Sequence, residues 1–177
     1  MKKIAVLSIM LFSLSNLSCF AIDNKVDFNN KSYNLFDYTE KPIEYEYYLP
    51  SESQDKWSSR ITLSNISNMS NTTEACADLA HSIQQTTPGA SVLVYPDISM
   101  LEYINFPENR EYYEYSAIIF QPPKKDGVDV FKFSKRFYSD DLDGKELARD
   151  AAIEFAQKNS TKYMQMVNKV ASSYKVD

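Results

Sequence analysis

The sequence predicts an α+β fold: an antiparallel β-sheet of about five to six strands packed with one mid-chain helix and a long C-terminal helix, as an α/β/α sandwich. Three observations carry this. Runs of alternating apolar and polar residues recur between prolines, a capped stretch near residue 72 has helical periodicity, and no glycine follows Gly144. The chain has 177 residues, 44% of them hydrophobic and 14% aromatic, enough to build one core behind a targeting segment.

The organisation expected is a signal peptide at 1–21, a polar N-terminal tail or edge strand at 22–41, and a single α+β domain at 42–177. Lys2 and Lys3 precede an apolar run at 4–14, followed by small residues, the pattern of a secretory signal. That run is too short to cross a ~30 Å hydrocarbon core, and no later stretch is longer, so no transmembrane helix is expected in the mature chain. Cleavage after Ala21 removes Cys19; the alternative is a lipoprotein anchored at Cys19, although Leu17 stands out of frame for a lipobox. Either way Cys76 has no intramolecular partner. The protein is expected to be bacterial and exported, to the periplasm or the medium.

Residues 22–41 hold only weak apolar clusters before Lys41-Pro42. "IEYEYYLP" (43–50) then places Ile43, Tyr45, Tyr47 and Leu49 on one side of a strand and Glu44, Glu46 and Tyr48 on the other. Residues 57–66 resume a strand, with Trp57, Ile61 and Leu63 as core candidates. Asn71 caps the following helix, with Glu74 at capping-box spacing and Ala75, Cys76, Leu79, Ala80 and Ile83 as its apolar stripe. Pro88-Gly89 stops it. Strands at 90–96, 100–106, 111–121 and 128–138 follow, the last two joined as a hairpin through Asp126-Gly127. Phe131, Phe133 and Phe137 share a face with Lys135. The terminal helix begins near Lys145 with Leu147, Ala151 and Phe155 in one stripe, and it bends or restarts at 157–161.

No catalytic motif is present. His81 is the only histidine and projects away from the apolar stripe, and Cys76 reads as a buried thiol, so neither a metal site nor a Cys-His pair is expected. "SDDLDGKELARD" is similar in spacing to a calcium loop, but its first position is Ser139 and its last Asp150, so Asp143 is read as a helix cap. No cofactor is expected. Acidic residues outnumber basic ones 24 to 19, which argues against nucleic acid as a partner. The thirteen tyrosines are the unusual feature, interleaved with glutamates in 43–50 and 111–116. Tyrosine gives contact area at low entropic cost, so Tyr48, Tyr112, Glu44 and Glu46 are the candidate binding residues.

The element order, with a C-terminal helix ending in "VASSYKV", resembles the PsbP-like α/β/α sandwich over residues 43–177. That resemblance implies an exported accessory or binding protein, and it assigns no site residue. The expectation is a non-catalytic bacterial envelope protein that binds an unidentified protein partner or small ligand. The alternatives are a secreted factor acting on a host or competitor, and a carboxylate-dependent hydrolase.

Overall fold

A computed structural model describes residues 23–87, 90–107, 111–122, 126–174 and 176. The signal segment with Cys19 and the Pro88-Gly89 stop lie outside the described residues.

The chain opens with a hairpin. Strands β1 (Lys25–Phe28) and β2 (Lys31–Glu40) are joined through Asn29 and Asn30, both at positive φ, 51° and 58°. Asparagine tolerates that region, and two such residues in succession match the twist of a tight hairpin. Val26, Phe28 and Tyr33 are buried, and the Phe28 ring stacks on Phe133 at 4.9 Å. Of the two expectations for this segment, a tail or an edge strand, the second holds for β1, which forms one edge of the sheet, and β2 lies inside it.

These two strands raise the sheet to eight, correcting the expected five to six. The others are β3 (Ile43–Tyr48), β4 (Ser59–Ile66), β5 (Ser91–Tyr95), β6 (Met100–Asn105), β7 (Tyr112–Gln121) and β8 (Val128–Tyr138). The order is β1-β2-β3-β4-β8-β7-β6-β5, antiparallel throughout. Gly127 makes the β7–β8 turn at φ +94°, and a Cβ there would lie 2.6 Å from the Ile66 carbonyl oxygen, so only glycine fits.

Among the described residues two α-helices complete the α+β fold. Helix α1 (Thr72–Thr86) follows β4, and Asn71 accepts hydrogen bonds from the Thr73 and Glu74 amides as its cap. Ala75, Cys76, Ala80 and Ile83 pack on Leu101, Ile118, Phe120, Val128 and Val130. Helix α2 (Lys145–Ala171) runs unbroken through 157–161. Gly144, not Asp143, is its N-cap, at φ +138°, and no side chain caps it. Its buried stripe is Ala148, Ala152, Tyr163, Met164, Val167 and Ala171, while Leu147 is 56% exposed. The inward face is thus one position beyond the expected Leu147–Ala151 stripe, because alanines bring the helix axis close to the sheet. Alternation along β7 sends Tyr113, Tyr115, Ala117 and Ile119 into the α2 cluster and Ile118 and Phe120 into the α1 cluster, so the helices lie on opposite faces.

Candidate functional site

The α1 face of the sheet is apolar only beneath α1. Beyond it, every second residue of four neighbouring strands is polar: Glu44 and Glu46, then Arg60 and Thr62, then Lys132, Ser134 and Arg136, then Glu114 and Ser116. The charges pair within the sheet. Arg60 bonds Glu46, whose other oxygen accepts the Tyr48 hydroxyl at 2.7 Å. Arg136 donates to Glu114 at 3.1 Å, and the Lys132 ammonium lies 3.9 Å from the same carboxylate. Aromatic rings fill the remaining space, with the Arg136 guanidinium 4.0 Å from the Trp57 ring and 3.9 Å from that of Tyr112.

This environment shifts the titrating groups in opposite senses. Burial alone would raise Glu114, but Lys132, Arg136 and Arg60 outweigh it and hold the carboxyl below the ordinary glutamate range. Glu44 goes the other way, raised by burial and then by neighbouring Glu46. Burial and the Glu46 acceptor push the Tyr48 hydroxyl up to about 12. Burial likewise raises the Cys76 thiol, which is free and buried, as expected of a structural cysteine.

The four candidate residues do fall on this one face, but they do not form an open platform. Tyr48 is 1% exposed, packed edge-on against both Phe36 and Trp57, so it is a buried residue where an exposed one was expected. Glu46 is committed to Arg60 and Tyr48, and half-buried Tyr112 covers Arg136. Glu44 retains access, on the wall of a groove of about 260 Å³ shared with Arg60, Lys132, Tyr103 and Leu79. A hollow of about 130 Å³ gathers Asp37, Glu44 and Glu46. Among the described residues no group of three or more His, Cys, Asp or Glu side chains is placed to hold a metal ion. His81 is exposed and pairs with Gln85 at 2.8 Å.

The larger cleft is on the opposite face, and sequence reasoning missed it. Helix α2 packs over β7 and β8, so β5 at the sheet edge extends past its cover. The space between them is about 530 Å³, walled by Leu93, Ile104, Phe106, Ile153 and Ala156. A narrower extension of about 190 Å³ continues past Tyr95 and Ser160 toward Met164 and Asn168. Leu93 stands 54% exposed at the mouth.

Glu102 forms the floor. It faces the cleft because Met100, Glu102 and Ile104 alternate on β6 opposite Tyr95, Leu93 and Ser91 of β5. Its Oε1 accepts the hydroxyls of Tyr95 at 3.2 Å and Ser160 at 2.7 Å, and its Oε2 that of Tyr115 at 2.8 Å. Burial, followed by the adjacent carboxylate, drives the Tyr115 hydroxyl far above the ordinary tyrosine range. The available signal was an acid between two apolar positions of "MLEYINF", a place where alternation calls for a core residue. Ser160 carries no comparable mark.

No helix among the described residues is long and apolar enough to cross a membrane. No curated protein and no solved structure matches the chain. A family model does match, over residues 20–172, a range containing the eight strands and two α-helices of the described residues, and the chain belongs to that family.

Proposed function

We propose that this protein is a non-catalytic binding protein that takes a small, largely apolar molecule into the cleft between α2 and the β5–β6 edge. The observation that carries the reading is the cleft itself: about 530 Å³, apolar walls, and hydroxyls converging on one carboxylate at its floor. Small-molecule sites commonly enclose about 300–1,000 Å³ with this arrangement of apolar lining and few fixed polar groups. Glu102 is the one carboxylate among the described residues lining the cleft, which favours binding over a two-acid hydrolytic mechanism. Export to the bacterial envelope is part of the proposal and rests on the pattern of residues 1–21. The PsbP-like sandwich is part of it too, supported by a helix on each face of an antiparallel sheet.

The test uses Nile red, a neutral dye that brightens in apolar surroundings. Saturable one-to-one binding is expected, abolished by Ala156→Trp, which fills the cleft from α2. A dye that does not bind, or that binds equally to a folded Ala156→Trp variant, removes the cleft as the site.

A further inference from the structure

What the cleft floor lacks indicates its occupant. Glu102 is 4% exposed, yet no Lys or Arg among the described residues comes within ion-pair distance of it. Two glutamates on the other face of the sheet, buried Glu114 and half-buried Glu46, are treated differently. Glu114 has both Arg136 and Lys132 beside it, and Glu46 has Arg60. Three hydroxyls satisfy hydrogen bonds at Glu102 but bring no positive charge. A carboxylate withdrawn from water without a counter-charge is unfavourable, and Leu or Met between Met100 and Ile104 would serve packing better. The missing charge is open to supply from the cleft, which Glu102 lines.

On the cleft reading above, we infer that the ligand is a small organic cation, a primary ammonium on an apolar body, with its nitrogen bound by Glu102. The hydrogen-bond inventory narrows the class. A carboxylate offers about four acceptor positions; Tyr95 and Ser160 take both on Oε1, and Tyr115 takes one on Oε2. The one position left suits a point donor such as an ammonium. A guanidinium fork requires a free position on each oxygen, which this carboxylate does not have. The rings of Tyr95 and Phe106 line the same space and attract a cation, while Leu93, Ile104 and Ile153 receive the apolar body.

Calorimetric titration of the full chain near neutral pH distinguishes the possibilities, with 2-phenylethylammonium, neutral 2-phenylethanol and anionic 3-phenylpropanoate as probes. The ammonium should bind at least about tenfold more tightly than the alcohol, and the carboxylate more weakly than either. Glu102→Gln should erase the ammonium's advantage and leave the alcohol's affinity within about threefold. Should that variant fail to fold, the wild-type ranking decides, together with loss of ammonium binding in Ala156→Trp. Equal affinity for ammonium and alcohol overturns the cation assignment and leaves the cleft standing as a neutral-ligand site. Failure of all three probes while Nile red binds also overturns it, and failure of Nile red as well removes the binding function with it.

Discussion

Glu114 and Glu44 stand on one face of one sheet and titrate in opposite senses, so their effects on stability have opposite signs. Glu114 is held below the ordinary glutamate value of about 4.3, so its contribution is present above that value and is lost as pH falls through the lowered one. Glu114→Gln should lower unfolding free energy by about 3 kcal/mol at neutral pH, since it leaves buried cations without their partner, and the deficit should shrink on acidification. Glu44 is raised, so it detracts from stability at neutral pH; that effect fades as pH falls through the raised value and is gone below about 4.3. Glu44→Gln should therefore gain about 0.5 kcal/mol near pH 7, a small figure because solvent screens a half-exposed group, and nothing at low pH. Urea titrations of both variants across this range provide the check. Two variants that respond to pH with the same sign would show that the network does not couple to protonation in this way.

At the scale of elements, the sequence makes the inner strands legible and misplaces the helix face. "IEYEYYLP" and "DVFKFSKRF" alternate cleanly, and Tyr45, Tyr47, Phe131 and Phe133 all enter the predicted core. Helix α2 misleads because hydrophobicity favours Leu147 for the interior, whereas close packing on the sheet selects small Ala148 and Ala152. The difference is measurable. Ala152→Leu should overpack the interface and cost about 1–3 kcal/mol, while Leu147→Ala should change stability by no more than about 0.5 kcal/mol. Thermal melts of the two variants would reverse in order if the stripe ran through Leu147. In the sequence the N-terminal segment stays open between a tail and an edge strand for another reason: each strand of its hairpin has few apolar residues, and the burial of Phe28 depends on Phe133 and Tyr163, more than 100 positions away. The Asn29-Asn30 pair was the local sign of a turn.

The whole molecule depends on that hairpin more than its polar composition implies. Phe28→Ala should cost about 3–5 kcal/mol, the range for deleting a buried phenylalanine, whereas a detachable tail would tolerate it; chemical denaturation decides between them. The candidate site also becomes clear only at this scale. Strand alternation put Glu44, Glu46 and Tyr48 on one face, but Arg60, which pairs with Glu46, comes from another strand, so the neutralisation of Glu46 was hidden. Glu102 became meaningful only once β5, β6, β7 and α2 supplied Tyr95, Tyr115 and Ser160 around it.

The strand order has a kinetic consequence. Every pairing in the sheet joins strands consecutive along the chain, except β4 with β8. Two meanders, β1 to β4 and β5 to β8, can each zip from local turns, and the entropy of closing a long loop is met once, where Ile61 comes opposite Phe133. Helix α1 lies within that loop and α2 follows it, so the slow event in folding is the closing of one seam, and substitutions along Ile61, Leu63, Phe131 and Phe133 are those that should change the refolding rate most.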